Sequence, residues 1–276
     1  LGEKALGDKL WTEELAKLNE PAEVILRTNT LKTDKETLRK ALLDENIVAE
    51  PIRGYPFALK LVERANVFVT QAFKNGMFEV QDASSQLVSD FLDIEPGQRV
   101  VDTCAGAGGK SLHLAALMEN KGQLISMDIY GSKLKELKRR ARRNGAHNIE
   151  VREIDSTKVY KKLYGSADRV LIDAPCTGLG VLRRNPDSKW KMQPEFLDKI
   201  VKTQHEIIRN YSKIVKPGGK MVYATCSILP QENSHQVQSF LKSEEGKDFT
   251  LVKDKKIYAS KSGYDGFYMA LLEKSI

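Results

Sequence analysis

Hydrophobic positions in the chain repeat with two spacings, and from about residue 80 onward these spacings alternate. Short apolar runs predict buried strands at residues 99–101, 123–128, 149–155, 167–173 and 220–225. Apolar residues at helical spacing lie between them and predict helices, the longest at residues 193–215. Two final runs, at 249–252 and 267–272, have no predicted helix between them. The pattern predicts a mostly parallel α/β sheet with helices on both faces and an antiparallel C-terminal edge pair.

The first 80 residues follow a different order. Residues 3–19 have the spacing of an amphipathic helix. A second helix, capped by Thr33 or Asp34, is expected to run to about Glu45. Three short apolar runs predict strands, at residues 23–29, 47–52 and 57–62. This order predicts a compact β-α-β-β module, which residues 67–80 would connect to the rest of the chain as a bridging segment.

We therefore expect three parts: a helical segment at residues 1–20, a small α+β module at 21–70 and a larger α/β domain at 71–276. The module has the size of a small RNA-recognition-like unit, although such a fold can also serve for packing alone. The sequence begins at Leu1, which leaves room for a segment upstream.

The stretch that organises the α/β domain is residues 104–111, which read Cys-Ala-Gly-Ala-Gly-Gly-Lys-Ser. It lies between a predicted strand and a helical pattern that starts at Ser111. Glycines let backbone amides approach a ligand at a helix N-terminus, so the loop is typical of a nucleotide-binding unit. A phosphate loop would need glycine where this chain has Cys104, so we favour S-adenosylmethionine as the ligand. A glycine turn without any ligand is the third alternative.

Composition narrows the class of protein. The net charge is +7, and hydrophobic residues make up 41% of the 276. No apolar run approaches the roughly 18 residues of a membrane span, so we expect no membrane association. The three cysteines form no C-x-x-C pair, which argues against a disulfide framework and against zinc. We expect a monomer without a metal, in a reducing cytoplasm.

Positive charge is concentrated in the predicted helix at residues 131–144. Seven Lys and Arg residues there accompany one acid, Glu136, for a local net charge of +6. Contact with an anionic partner and a simple solvated face both explain such a helix. A helix that follows the second strand of such a sheet usually lies on an outer face, away from the edge of the sheet where ligands bind. Arg183 and Arg184, which directly follow the loop of Cys176, are therefore our candidates for RNA phosphate contacts.

Acids and cysteines follow the predicted strands at the edge where open α/β sheets bind ligands. They are Cys104, Asp128, Asp155, Asp173, Cys176 and Cys226. Asp128 ends the second strand about 20 residues beyond the glycine loop, where a ribose-binding carboxylate belongs. Asp155, at the next strand end, is a candidate for binding the adenine amine.

Cys176 and Cys226 lie in turns, within Asp-Ala-Pro-Cys and Thr-Cys-Ser. A thiolate there can add to carbon 6 of cytosine, which makes carbon 5 nucleophilic enough to accept a methyl group. Asp173, bonded to the ring nitrogen or amine, would stabilise the charge that develops. Position alone does not say which thiol attacks. The glycines after Cys176 suggest a mobile loop, which suits a group that acts late.

Six motifs, in this order, resemble those of the Sun/Nop (RsmB/Nop) family of RNA 5-methylcytosine methyltransferases. They are Arg27-Thr-Asn-Thr-Leu31, Cys104-Ala-Gly-Ala-Gly-Gly-Lys110, Asp173-Ala-Pro-Cys176-Thr-Gly-Leu-Gly180, Arg183-Arg-Asn-Pro186, Tyr223-Ala-Thr-Cys226-Ser227 and Asp265-Gly-Phe-Tyr-Met-Ala270. The resemblance runs from about residue 23 to the end. The chain departs from the family pattern in its glycine loop, which reads Ala105-Gly-Ala-Gly-Gly109 where many members have Ala-Ala-Pro-Gly-Gly. It departs again at Asp155, which follows isoleucine rather than glycine.

The resemblance implies a Rossmann-like class I methyltransferase fold at residues 71–276, preceded by the small α+β module. It implies Cys226 as the nucleophile and Cys176 as the thiol that assists release of the methylated RNA, with Asp173 and Lys110 also in the active site. The residues it implies around the cofactor are Cys104, Ala105, Gly106, Ala107, Gly108, Gly109, Lys110, Asp128, Asp155 and Asp173.

The expected substrate is a cytosine in RNA, ribosomal RNA in preference to transfer RNA, and the expected cofactor is S-adenosylmethionine. Two other functions are kept open. One is a non-catalytic RNA-binding ribosome-assembly factor that retains the fold. The other is a phosphate-loop nucleotidase, which Cys104 disfavours.

Overall fold

The computed structural model describes residues 2–276; Leu1, the first residue of the predicted helical segment, lies outside them. Two compact units divide the chain: Glu23–Val159 forms one, and the described residues before it form the other together with Tyr160–Ile276. The chain opens with the helices α1 (Gly2–Leu6) and α2 (Asp8–Leu18). A single helix was predicted here, but Gly7 adopts a φ of +79° and interrupts it.

The unit Glu23–Val159 begins with a small antiparallel sheet of order β2-β3-β1-β4. Its strands are β1 (Ile25–Thr28), β2 (Ala49–Pro51), β3 (Ala58–Leu61) and β4 (Phe78–Val80). Its helices are α3 (Lys35–Asp44) and α4 (Gln71–Lys74). Asp34 caps α3 by accepting a hydrogen bond from the backbone N–H of Thr37, as its position predicted.

The fourth strand of this sheet corrects the interpretation of residues 67–80 as a bridging segment. Phe78 and Val80 pair with Thr28 and Leu26 of β1, on the edge that the three predicted strands leave open. The Phe78 side chain is fully buried among apolar residues from α3 and β3. Three residues are too short for an alternating pattern to reveal a strand, so tertiary pairing decides this one.

The same unit continues with three parallel strands, in which β5 pairs with β6 and β6 with β7. In chain order its elements are α5 (Ala83–Asp90), β5 (Arg99–Asp102), α6 (Gly109–Leu117), β6 (Gln123–Asp128), α7 (Gly131–Asn144) and β7 (Ile149–Glu153). The basic helix therefore has the predicted bounds. Strand β7 ends two residues earlier than predicted, before Asp155.

The other unit contains the predicted C-terminal edge pair. From the unit boundary onward its elements are α8 (Thr157–Lys161), β8 (Ala167–Asp173), α9 (Ser188–Lys191), α10 (Pro194–Ser212), β9 (Val215–Thr225), α11 (Ser234–Leu241), β10 (Phe249–Ile257), α12 (Ala259–Ser262) and β11 (Phe267–Lys274). Strands β8 and β9 are parallel, whereas β11 runs antiparallel to both β9 and β10. Only the one-turn helix α12 separates β10 from β11.

The N-terminal helix α2 packs within this unit. The carboxylate of Glu14 is fully buried and accepts hydrogen bonds from the backbone N–H groups of Ala259 and Ser260, at 3.1 and 2.7 Å. These donors lie in the first turn of α12, where a carboxylate stabilises the unpaired N–H groups. Leu18 packs in an apolar cluster with Ile228 and Ala259.

Candidate functional site

The glycine loop joins the carboxyl end of β5 to the start of α6. Gly106 and Gly108 have φ angles of +55° and +89°, which glycine adopts without strain. A Cβ atom on Gly108 would lie 2.5 Å from Cγ of Leu137 in α7, too close to pack. At Gly106 and Gly109, no atom beyond the chain neighbours lies within 4 Å of a Cβ position. The loop is therefore packed at Gly108 and open at the other two glycines, as a ligand's approach requires.

Asp128 lies against this loop, at the carboxyl end of β6. Its Oδ2 accepts a hydrogen bond from the N–H of Gly106 at 2.8 Å, and its Oδ1 accepts one from the N–H of Tyr130 at 2.8 Å. The backbone of Ala105 is also bonded to β6, through the carbonyl oxygen of Met127. The carboxylate is thus oriented by two backbone donors, and each oxygen keeps a lone pair for a further donor.

Asp102 is an acid to which the sequence analysis assigned no role. It ends β5, is fully buried, and accepts a 2.7 Å hydrogen bond from Oγ of Ser111 in the first turns of α6. Ser126 donates in turn to Ser111 at 3.0 Å. These bonds occupy the Ser111 hydroxyl inside the protein. A phosphate loop needs this hydroxyl for a metal ion, so its burial argues against the nucleotidase alternative.

Two arginines hold the glycine loop through its carbonyl oxygens. Nη1 of Arg27, from β1, donates to the carbonyl of Gly109 at 2.6 Å. Nη1 of Arg140, from α7, donates to the carbonyl of Ala107 at 2.8 Å. Arg27 is fully buried, and burial lowers its pKa to about 10, an effect that Glu79 opposes. Arg27 is therefore still a cation at neutral pH.

Glu79 of β4 supplies the counter-charge. Its two carboxylate oxygens accept from Arg140 at 2.8 Å, from Arg143, and from the side-chain amide of Asn144 at 2.5 Å. The Glu79 side chain is only 4% exposed. Burial alone would raise its pKa, but Arg140 and Arg143 more than offset that effect and hold the pKa below its ordinary value. The ionised carboxylate thereby joins the small sheet to α7.

These contacts divide the basic helix α7 into two faces. Arg140 and Arg143 bind Glu79, and the guanidinium of Arg143 also lies 3.8 Å from the ring centre of Phe73. The remaining cations are exposed: Lys133, Lys135, Lys138, Arg139 and Arg142. The expectation that this helix lies away from the ligand edge is wrong for Arg140, because its guanidinium contacts the glycine loop.

Cys176 and Cys226 follow two neighbouring parallel strands, β8 and β9. Their Sγ atoms are 3.3 Å apart, a hydrogen-bonding distance for two thiols rather than a disulfide. The backbone between the strands is paired up to the site, since the N–H of Ala174 donates to the carbonyl of Ala224 at 2.9 Å. The structure thus brings together the two thiols that the sequence placed 50 residues apart.

The two thiols are not equivalent. The pKa of Cys176 is raised well above its usual range, first by its hydrogen bond to Cys226, then by burial and by the nearby charges of Cys226 and Glu232. The raised pKa keeps Cys176 protonated at neutral pH, so its thiol can donate to the sulfur of Cys226.

Glu232 fixes both cysteine loops and was missed by the sequence analysis. This carboxylate is fully buried. It accepts from the N–H and the hydroxyl of Thr177, at 2.8 and 2.5 Å, and from the hydroxyl of Ser227. Gln204 of α10 adds a fourth donor at 3.0 Å. Thr177 and Ser227 each follow one of the cysteines directly, so one carboxylate sets the spacing of the two loops.

Glycines after Cys176 serve close packing. Gly180 donates its N–H to the carbonyl of Cys226 at 2.9 Å, and Gly266 donates to the carbonyl of Gly180 at 2.8 Å. A Cβ atom on Gly180 would lie 2.2 Å from the carbonyl oxygen of Gly266. Gly180 is therefore required for a close backbone approach, and the mobility of the loop stays a prediction.

The other predicted cofactor residues occupy different environments. Cys104 is half-buried in the glycine loop, Lys110 lies half-buried in the first turn of α6, and Asp173 ends β8 half-buried. Asp155 is exposed, two residues beyond the end of β7. Its carboxylate is thus less constrained than that of Asp128.

Arg183 and Arg184 both bind the buried carboxylate of Asp265. Nε of Arg183 donates to Oδ1 at 2.7 Å, and Nη1 donates to the carbonyl of Gly263 at 3.0 Å. Arg184 donates through Nε to Oδ2. The Arg183 side chain is 1% exposed and that of Arg184 is 30% exposed. Of the two predicted RNA contacts, only Arg184 is therefore accessible in this conformation.

Among residues 2–276, no group of three or more His, Cys, Asp or Glu side chains is arranged to hold a metal ion. Across the same residues, no helix combines the length and the apolar character needed to cross a membrane.

Two family models match the chain. Residues 89–273 match the family described as 16S rRNA methyltransferase RsmB/F, and residues 3–68 match an RsmF/B-like ferredoxin-like domain. A relative from Synechocystis, a probable ribosomal RNA small subunit methyltransferase B, is 36% identical over 241 residues. The match covers 86% of this chain and 54% of the relative, so the chain spans about half the length of that protein.

Solved structures are similar over nearly the whole chain. The crystal structure of PH0851 has a TM-score of 0.92 and 31% identity, over 99% of this chain and 64% of the other. A methyltransferase homologue from Pyrococcus horikoshii has a TM-score of 0.87 and 25% identity, over 99% of this chain and 92% of the other. These matches confirm the predicted fold, an α/β Rossmann-like methyltransferase fold preceded by a small α+β module. The chain belongs to the RsmB/F family of 16S rRNA methyltransferases.

Proposed function

We propose that this chain transfers a methyl group from S-adenosylmethionine to carbon 5 of a cytosine in RNA, with Cys226 bonded transiently to carbon 6. The observation that carries the proposal is the thiol pair, with Sγ atoms 3.3 Å apart in turns after two parallel strands. A reaction that needs one sulfur to attack and another to hold a proton accounts for two such thiols.

The RNA class is inferred from the family. Its description names 16S ribosomal RNA, and the Synechocystis relative is named for small-subunit ribosomal RNA. We therefore favour ribosomal RNA of the small subunit over transfer RNA.

The residues of the glycine loop fit the proposed cofactor, which supplies an electrophilic sulfonium methyl group when bound. The open backbone at Gly106 and Gly109 leaves room for a ligand, and Asp128 is held beside it with lone pairs for ribose hydroxyls. Residues 104–110 and Asp128 are accordingly proposed to hold S-adenosylmethionine. Asp155 is proposed for the adenine amine.

The contact within the thiol pair supports a division of roles. Its hydrogen bond to Cys226 and its burial raise the pKa of Cys176, so Cys176 keeps its proton and is disfavoured as the thiolate. Of the two protonation states of a cysteine, the thiolate is the nucleophile. We therefore propose Cys226 as the attacking group and Cys176 as the group that assists release.

The chemistry balances with these residues. The Cys226 thiolate would form a C–S bond to carbon 6, and the π electron pair of the C5–C6 double bond would then bond carbon 5 to the methyl carbon. The bond from that methyl carbon to the sulfonium sulfur would break, and its electron pair would stay on the sulfur. Carbon 5 then carries both the new methyl group and its original proton. Loss of that proton to a water molecule would return the electron pair to the ring, break the C–S bond and restore the Cys226 thiolate. Asp173 is proposed to hydrogen-bond the ring nitrogen or amine while charge develops, with Lys110 as a second charged group in the site.

RNA contact near the cysteines is proposed for Arg184. Its guanidinium is partly exposed, whereas that of Arg183 is enclosed between Asp265 and Gly263. We propose that Arg183 anchors the segment and that Arg184 contacts phosphate.

A denaturing gel of each variant with radiolabelled RNA and S-adenosylmethionine tests the two thiol roles. Cys226→Ala is expected to abolish both methylation and any covalent RNA adduct. Cys176→Ala is expected to accumulate the adduct, because addition and methyl transfer proceed while release stalls. Cys104→Ala, which removes neither member of the pair, is expected to trap no adduct above wild type.

The opposite pattern, with an adduct in Cys226→Ala and none in Cys176→Ala, would reverse the two roles. The rival function of a non-catalytic assembly factor predicts RNA binding without methylation in every variant. Calorimetry with S-adenosylmethionine and with ATP separates the methyltransferase from the nucleotidase.

A further inference from the structure

The segment after the Cys176 loop presents an aromatic side chain to solvent. Trp190, in the one-turn helix α9, is 85% exposed. Among the large hydrophobic residues that the structure describes, only the C-terminal Ile276 is more exposed. An indole ring exposed to water offers a large apolar area to a partner that covers it.

The backbone that leads to Trp190 is held by three contacts. Arg183 fixes the start of the segment through its buried ion pair with Asp265. Lys189 donates to the side chain of Asn19, directly after α2. The N–H of Trp190 itself donates to the carbonyl of Asp187 at 3.2 Å. An aromatic side chain on a fixed backbone loses little further freedom when it binds a partner.

The charges around the indole favour a polyanion. Residues 183–191 contain four cations and one acid, Asp187. Lys189 and Lys191 flank the tryptophan, and Arg184 is partly exposed. The only acid of the segment forms a long, exposed pair with Lys191 at 3.4 Å, which is a weak interaction.

We infer that Trp190, with Lys191 and Arg184, forms a stacking platform for single-stranded RNA in the segment that follows the Cys176 loop. Every RNA base offers a flat face to an indole, and cations beside the ring neutralise the phosphates. A duplex keeps its base faces stacked inside, so this surface favours single strands. The inference rests on the proposed RNA substrate and adds which form of RNA the chain binds.

Tryptophan fluorescence of the full chain, without cofactor, tests the platform directly, because the chain has only two tryptophans, Trp11 and Trp190. A ten-nucleotide single-stranded RNA is expected to quench the emission, and a duplex of the same sequence to quench it much less. Trp190→Phe is expected to remove the quenching, while a ring remains for stacking. Trp190→Ala is expected to weaken single-strand binding about 5- to 150-fold.

Lys191→Ala is the matched variant. It is expected to lower the slope of log affinity against log salt by about 0.7, the value for one phosphate contact to a single strand. Trp190→Ala is expected to leave that slope unchanged, because stacking releases no counterions. S-adenosylmethionine affinity, measured by calorimetry, is expected to be unchanged in both variants and reports that each is folded.

Unchanged single-strand affinity in Trp190→Ala would overturn the platform. So would finding instead that this variant abolishes self-association in sedimentation, or binding to anionic vesicles, while RNA binding persists. If single-strand binding depends on Trp190 but no cytosine is methylated, the platform stands and the proposed reaction fails. If methylation proceeds with an unchanged KM for RNA in Trp190→Ala, the reaction stands and the platform fails.

Discussion

Charged side chains bind both the glycine loop and the two cysteine loops, which are the turns that contain Cys176 and Cys226. The charges at the two places have opposite signs. Arg27 and Arg140 donate to carbonyl oxygens of the glycine loop. At the cysteine loops, Glu232 accepts from the N–H and hydroxyl groups of Thr177 and from Ser227. The sign of the charge follows from the groups that each loop presents to it. The carbonyl oxygens of the glycine loop need donors, which a guanidinium supplies. The N–H and hydroxyl groups of the cysteine loops need an acceptor, which a carboxylate supplies.

The two arrangements also differ in how the buried charge is balanced. Arg140 is paired with Glu79, so the glycine loop is held by an ion-pair cluster. Glu232 accepts its four hydrogen bonds from neutral donors: Thr177 twice, Ser227 and Gln204. A buried charge is tolerated when its partners are complete and becomes costly once one is removed. Each loop therefore depends on charged residues that lie outside the loop itself.

The largest effect is expected from Glu79→Ala. It leaves the partly buried Arg140 and Arg143 without their carboxylate, and we expect a loss of about 3–5 kcal/mol in the free energy of unfolding, measured in urea. Because the pKa of Glu79 is held below its ordinary value, its contribution is present above about pH 4.3 and is lost as the pH falls through the lower folded-state value. Glu136→Ala, which removes the exposed pair with Arg139, is the control and is expected to shift the midpoint only slightly. A change below about 1 kcal/mol for Glu79→Ala would contradict the role of the cluster.

Glu232→Ala is expected to cost about 2–4 kcal/mol, because it leaves several buried donors without an acceptor. Glu232→Gln keeps the size but places an amide donor against other donors, so we expect an intermediate loss of stability. Both variants are expected to slow formation of the covalent RNA adduct by Cys226 at temperatures where they remain folded. Unchanged adduct formation in a folded Glu232→Ala protein would show that the cysteine loops keep their spacing without the carboxylate.

At the glycine loop, Asp128→Ala is expected to weaken S-adenosylmethionine binding by about 1–3 kcal/mol, since the ribose hydroxyls lose their acceptor. Calorimetry measures this directly. Asp155→Ala serves as the comparison and is expected to have a smaller effect, because Asp155 is exposed beyond the end of β7. Equal affinity in wild type and Asp128→Ala would remove Asp128 from the cofactor site.

The smallest effect concerns the thiol pair. The raised pKa of Cys176 depends first on its hydrogen bond to Cys226, so Cys226→Ala is expected to lower the pKa of Cys176 toward its ordinary value. More of Cys176 is then thiolate at mildly alkaline pH, and its alkylation by iodoacetamide is expected to be faster than in wild type. Peptide mass spectrometry follows each cysteine separately, with Cys104 as the internal reference. Slower or equal alkylation of Cys176 would contradict the role of Cys226 in raising the pKa of Cys176.

The alternation of strands and helices could be predicted from the sequence because hydrophobic spacing is a local property. The bounds of the basic helix α7 agree with the structure, and the predicted antiparallel edge pair is confirmed. The sequence also predicted that Cys176 lies near Cys226 and Asp128 near the glycine loop, because the carboxyl ends of parallel strands meet at one edge of the sheet. Strand β4 could not be predicted, because its three residues form a strand only by pairing with β1.

The sequence by itself thus determined the α/β order, the glycine loop and the thiols after the strand ends. Tertiary structure decided which charges serve these loops. Arg27 contacts Gly109 across 82 positions, Arg143 contacts Glu79 across 64, and Glu232 contacts Thr177 across 55. Tertiary structure also enclosed Arg183 while leaving Arg184 accessible, although the two are adjacent in sequence. The physical reason is that the free energy of a charged side chain depends on its burial and on its partners, and both are set by contacts between distant parts of the chain.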